Sequence, residues 1–168
     1  MGGVGKTTLM KMVHNKFLVG CDFDLILWVV VSKDWNYDKM RKLIIRRLGV
    51  GPFDPDADVD AMELFNFLGG KRFVLLLDDV WEHLDLMELG VPRPTRENMS
   101  QIFFTTRSEE VCRQMLPDRE IKIDCLGPSD SWALFEKNVG DKALNSHPSV
   151  HSLAHQIVKE CCGLPLAL

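Results

Sequence analysis

Long apolar runs are missing from this sequence. The longest, residues 25–31, is seven residues, far short of the ~20 that a membrane helix needs, and no basic-then-apolar leader opens the chain. Neither a transmembrane segment nor secretion is expected, and the reading is cytoplasmic. Cysteine is sparse and odd in number: Cys21, Cys112, Cys125, Cys161 and Cys162 lack metal-ligand spacing. Reduced, mostly packed thiols are expected rather than a disulfide framework or a zinc site. Positive charge is also short. Twenty basic against twenty-four acidic side chains leave a formal charge of -4, the wrong sign for holding nucleic-acid backbones by bulk electrostatics. Repeats and low-complexity tracts are absent. What remains, 168 residues with 46% apolar and 26% charged side chains, is an ordinary globular composition of about one domain's length.

The order of elements is more informative. A glycine-rich turn runs into helical spacing through Leu9, Met12, Val13 and Phe17. Residues 25–31 then form a near-continuous aliphatic run between polar residues, which predicts a parallel strand buried on both faces, read as a central one. Met40, Leu43, Ile44 and Leu48 restore helical spacing over 37–48, and Gly49 and Gly51 stop it. An acidic loop over 53–60 and a helix over about 59–68 lead to a second buried strand from Phe73. A polar loop over 90–100 precedes a third strand from Gln101, a short helix over 108–115 and a fourth, weakly alternating strand over 120–125. Beyond Leu126 only helices are predicted, over 129–139 and 149–162, the latter closed by Gly163. Strand–helix alternation followed by helices alone implies a parallel α/β domain over 1–126 and the beginning of a helical unit over 127–168.

Chemistry concentrates at three places. Residues 1–8 read MGGVGKTT, and Gly5-Lys6-Thr7 matches the end of the phosphate-binding loop G-x-x-x-x-G-K-[ST]. The pattern's first glycine would precede Met1. Glycines at 2, 3 and 5 let the backbone around Val4 curl so that successive amides, through Thr8, converge on phosphate oxygens at a helix N-terminus. Lys6 would bridge the terminal phosphates and the Thr7 hydroxyl would ligate magnesium. The second place is the strand from Phe73, which ends in Asp78 and Asp79, the form of a strand that delivers a carboxylate to that metal. Asp78 is the candidate ligand; Asp79 either orients or deprotonates an attacking water or only shapes the metal's surroundings. Aspartate is shorter than the glutamate common in fast ATPases, so slow hydrolysis at most is expected. The third place is Thr105-Thr106-Arg107. A cation at a strand's carboxyl end faces the ligand crevice of an open α/β sheet, which makes Arg107 a candidate γ-phosphate sensor.

Other features carry less. Lys39, Arg41, Lys42, Arg46 and Arg47 read as a solvated helix face. His147, His151 and His155 step by four with no carboxylate or cysteine beside them, so surface histidines are expected rather than a metal site. Trp81 and Trp132 read as packing residues.

With the phosphate loop, the LLLDDVW strand, the TTR strand end and the terminal GLPLAL in hand, the sequence resembles the NB-ARC domain of plant intracellular immune receptors along its whole length. Tryptophan directly after LDDV, and the segment from Leu126 through SWALFEKNVG, resemble the coiled-coil class of these disease resistance proteins. The resemblance implies a P-loop NTPase fold and an ATP/ADP switch, with ADP holding a silent form and ATP an open, homo-oligomerising one. It carries over Gly3, Gly5, Lys6, Thr7 and Thr8 as the phosphate loop, Asp78 as magnesium ligand, Asp79 as the second acid, Arg107 as sensor and Pro165 as the proline lining the base. A coiled-coil signalling domain and leucine-rich repeats elsewhere in the parent, both in intramolecular contact with this segment, are likewise implied. The family's methionine-histidine-aspartate motif has no counterpart here.

The resemblance also places a strand upstream of Met1, in mid-sheet. About five buried aliphatic side chains at ~1.5–3 kcal/mol each match a domain's whole stability of ~5–15 kcal/mol, so the 168 residues alone are expected to fold poorly. Two other function classes stay open. A P-loop phosphotransferase would need an acceptor site and a basic lid; a degenerate interaction module would keep the fold without binding nucleotide.

Overall fold

Strand β2, Phe73–Val80, carries five consecutive fully buried apolar residues, and such a run is stable only where both faces of a sheet are covered. In the computed structural model, which describes residues 1–20, 22–49 and 60–168, β2 is the middle of a three-stranded parallel sheet. Its neighbours are β1, Leu25–Val30, and β3, Gln101–Thr106. Register runs from Leu25 opposite Phe73 to Val30 opposite Asp78, and from Val74 opposite Gln101 to Leu77 opposite Phe104.

The chain forms two compact units, Thr7–Glu120 and Met1–Lys6 with Ile121–Leu168. In the first, the period-two alternation of β2 sorts its side chains between two cores. Val74 and Leu76 pack on Met10, Val13 and Phe17 of α1, Lys6–Val19. Phe73, Leu75 and Leu77 face the larger core. That core is completed by Ile44 and Leu48 of α2, Tyr37–Leu48; Leu64 and Leu68 of α3, Ala61–Gly69; Leu89 of α4, Leu86–Leu89; and Val111 of α5, Glu109–Gln114. Helices on both faces of a parallel sheet make this the α/β fold expected from the sequence.

Four of these helices begin where a side chain accepts a backbone N–H left over by the first turn. Asn36 caps α2 through Lys39 N at 2.8 Å, Asp60 caps α3 through Glu63 N at 2.8 Å, Asp85 caps α4, and Ser108 caps α5. The helix predicted from about 59 begins at Ala61; its predicted loop lies, up to Val59, outside the described residues, as does Cys21. Arg41 departs from the solvated face expected of it, because its guanidinium donates to the Glu88 carbonyl at 3.0 Å and pairs with Asp38.

Two strand expectations are corrected. The run over 25–31 is not central: among the described residues β1 has one hydrogen-bonded neighbour and lies at the sheet's edge. Its apolar length has another cause, since Leu27 and Val29 enter one core while Ile26 and Trp28 pack against the other. Residues 120–125 form no strand. Ile121 is 78% exposed, so the apolar side of the alternation faces no core there, and the segment pairs with no ladder among the described residues. A strand without a partner leaves its backbone groups unsatisfied, and the alternation alone does not hold it.

The second unit is helical: α6, Pro128–Val139, α7, Asp141–Leu144, and α8, Pro148–Glu160, close around Phe135, Leu144, Ala154 and Val158. Trp132 packs against this core and stacks on His155, with ring centroids 3.8 Å apart, and His151 lies alongside at 5.2 Å. His147 precedes the helix and caps it through Ser149 N. These histidines are used in packing and capping, and no group of three or more metal-ligating side chains occurs among the described residues.

The first unit also carries a predictable alkaline weakness. Burial pushes the Tyr37 phenol above its ordinary 10.0; the Asp85 N–H that it accepts at 3.2 Å pulls the other way, and Glu88 adds to the rise. Burial, then Glu120, similarly pushes the Cys112 thiol above 9.0. Both folded-state values lie above the unfolded ones, so the stability linked to each is fully present below its unfolded pKa and lost as pH rises through the raised one. Thermal midpoints are expected to fall above pH 10, and Tyr37→Phe to flatten that fall. An equally steep fall in the variant would contradict the assignment.

Candidate functional site

The carboxyl end of β2 departs from regular geometry. Pairing with β3 slips between Leu77 and Val80, and Asp79 has φ 62, a left-handed conformation that side-chain-bearing residues rarely adopt. The irregularity points two neighbouring carboxylates at different partners. Asp78, 3% exposed, accepts at Oδ1 from the Thr105 hydroxyl at 2.6 Å and from the Thr7 hydroxyl at 3.2 Å. Asp79 receives Arg107 in a two-pronged pair, Nε to Oδ1 at 2.9 Å and Nη2 to Oδ2 at 3.0 Å. Thr105 Oγ1 also accepts the Asp79 N–H at 2.9 Å, so one hydroxyl links both acids.

The structure therefore brings Thr7, Asp78, Asp79 and Arg107 together as four of the sequence-predicted residues, at the carboxyl ends of adjacent parallel strands, where open α/β sheets bind ligands. Thr105 is an addition. Its signal was its place in the TTR strand end, two residues before Arg107. Trp81 was read as a packing residue, yet it is 36% exposed, with the Lys33 Nζ 4.2 Å and the Arg107 Cζ 4.9 Å from its ring centroid.

The glycine loop belongs to the other unit. Gly3 and Gly5 have φ 75 and 98, which glycine adopts without strain. A side chain at Gly3 is excluded twice over: its Cβ would lie 2.9 Å from Leu166 Cβ and 3.3 Å from Leu164 Cδ1. Leu166 N donates to the Gly3 carbonyl at 3.2 Å, so the terminal segment with half-buried Pro165 lies against the loop. Val4 is buried, Gly2 and Gly5 are half-buried, and Thr8 is exposed in the first turn of α1. The Lys6 ammonium donates to the Met1 carbonyl, curling over its own loop.

The donor set suits a hard divalent cation. A carboxylate and a hydroxyl are both oxygen ligands, and two protein oxygens completed by phosphate and water are what magnesium takes in nucleotide sites. No third carboxylate, histidine or cysteine joins them among the described residues.

A glycine loop opening a helix, with an acid delivered by a parallel strand to that helix's first-turn threonine, defines the P-loop NTPase class of α/β fold. The family described as NB-ARC domain matches residues 1–145, and the chain belongs to it. Over its full length the chain is 51% identical to a probable disease resistance protein of Arabidopsis thaliana. It is 46% identical to disease resistance protein RFL1 and 44% to disease resistance protein SUMM2, both of the same plant. The chain spans about a fifth of the length of these curated relatives. No helix among the described residues is long and apolar enough to cross a membrane.

Proposed function

We propose that this chain is the ATP/ADP-binding switch segment of a cytoplasmic plant immune receptor acting in defence against pathogens. The observation that carries the reading is the Asp78 carboxylate shared by the Thr7 and Thr105 hydroxyls, an oxygen site built where the α1 N-terminus meets the acid-bearing strand. The amides of residues 2–8 and the Lys6 ammonium would take the phosphates. Thr7 and Asp78 would hold magnesium, which supplies neutralisation of phosphate charge when bound. Arg107 would sense the terminal phosphate and Pro165 would line the base. Asp79 would orient or deprotonate water only after Arg107 leaves it, which supports slow hydrolysis at most. Residues 1–126 form the nucleotide-binding segment and 127–168 the start of the ARC segment in this reading. Coiled-coil and leucine-rich-repeat domains of the parent would contact them.

A ligand shifts a two-state equilibrium only by its differential affinity for the states, so the diphosphate and triphosphate must favour different arrangements. Exchanging ADP for a non-hydrolysable triphosphate in the full-length protein is expected to drive homo-oligomerisation, read by light scattering. Identical mass with either nucleotide would contradict the switch.

A further inference from the structure

Each strand of the sheet delivers one residue at its carboxyl end to a single cluster: Lys33 after β1, Trp81 after β2 and Arg107 after β3. Arg107 is thus met in two ways. Asp79 takes the guanidinium by its edge, with two hydrogen bonds of 2.9 and 3.0 Å, while the indole of Trp81 lies within cation–π range of its Cζ at 4.9 Å. Asp79 is itself fixed by its left-handed backbone and by the 2.9 Å bond from its N–H to Thr105. A carboxylate alone leaves a guanidinium able to swing out along its flexible stem. An aromatic surface beside it supplies an attraction that persists when the hydrogen bonds are exchanged for others.

We propose that Trp81 is a positioning residue for Arg107, keeping the guanidinium in place while a terminal phosphate competes with Asp79 for its donors. The proposal rests on the nucleotide reading above. It makes Trp81 matter for the triphosphate, whose last phosphate Arg107 would meet, and not for the diphosphate. A residue that only packed the strand end would affect both ligands alike.

Two measurements on the full-length protein test it. In the first, Trp81→Ala is expected to weaken a magnesium-bound, non-hydrolysable triphosphate about fivefold and ADP less than about twofold, the size of a cation–π contact. Trp81→Phe should recover most of that loss, and in an Arg107→Ala background Trp81→Ala should add nothing. Equal losses for both nucleotides, or a loss that persists without Arg107, would overturn the proposal. In the second, the nucleotide-free protein is treated with phenylglyoxal and modification of Arg107 is followed by mass spectrometry. Trp81→Ala should speed labelling several-fold and Trp81→Phe much less; an unchanged rate would overturn the positioning role. Failure of the wild type to bind either nucleotide would count against the function proposed above, and the labelling rate would still decide the Trp81–Arg107 relation.

Discussion

Asp78→Asn is expected to weaken magnesium-dependent nucleotide binding strongly while leaving the fold in place. Asparagine keeps the shape of the side chain and one oxygen that accepts from the Thr105 and Thr7 hydroxyls, now 2.6 and 3.2 Å away. It removes the negative charge, and a hard dication held by one carboxylate, one hydroxyl and phosphate oxygens loses its only protein anion. The loss in affinity for ADP with magnesium should be on the order of 100-fold, comparable to losing a metal-supporting group elsewhere. Chelating magnesium from the wild type should bring its affinity down to that of the variant. Asp78→Ala should in addition lower the melting point without ligand, because the part-buried Thr105 hydroxyl loses its acceptor at a cost of about 1 kcal/mol. Calorimetric titration and thermal unfolding separate the two effects; undiminished magnesium-dependent affinity in Asp78→Asn would remove Asp78 from the metal site.

Gly163→Ala is expected to have the largest effect on stability. Gly163 has φ 73, and a Cβ there would lie 2.2 Å from the Leu126 carbonyl oxygen, a backbone atom that cannot rotate away. The same two residues are joined by the Leu126 N to Gly163 O bond at 2.8 Å. Left-handed strain costs about 1–2 kcal/mol, and relieving the overlap by separating the strands of chain costs about 1 kcal/mol more in the lost hydrogen bond. A total near 3 kcal/mol corresponds to roughly 10 °C in the melting temperature of a cooperative unit of about this size, read in the full-length protein. Gly49→Ala is the control. Its φ of 62 and ψ of -19 are left-handed, but nothing lies within 4 Å of the added atom, so only the left-handed strain remains. Equal losses in the two variants would show that the Leu126 contact is not what requires glycine at 163.

The parts of the fold that the sequence made legible are those with a strong local signature. Aliphatic runs at 25–30 and 73–77 gave β1 and β2, and apolar spacing gave α2 to its ends at Tyr37 and Leu48. The position of β1 at an edge was not legible, since cores on both faces of the sheet make an edge strand as apolar as a central one. Helices α4 and α7, four residues each, are shorter than any periodicity can register. In the candidate site the charged residues were legible because few positions at strand ends carry charge. Thr105 was given no role of its own and Trp81 only a packing one, because a hydroxyl and an indole have many ordinary uses. Their roles depend on the slip between Leu77 and Val80 and on the left-handed Asp79, which are properties of pairing rather than of local sequence.

The contact between Gly3 and the terminal leucines has the same character. Both segments stand out in the sequence, one as a phosphate loop and the other as a GLPLAL tail, but their 3.2 Å backbone bond joins the two ends of the chain. Nothing in local spacing encodes it.

Titration of ADP with magnesium into the full-length protein, beside its Lys6→Ala variant, tests the central claim that residues 2–8 form a working phosphate loop. At about 1,000 times its dissociation constant the ligand should stabilise the wild type by about 4 kcal/mol, a shift of several degrees in unfolding midpoint, and the variant by far less. A well-folded wild type that neither binds nor shifts would mean that the chain keeps the fold without the nucleotide, and that the switch assigned to it is absent.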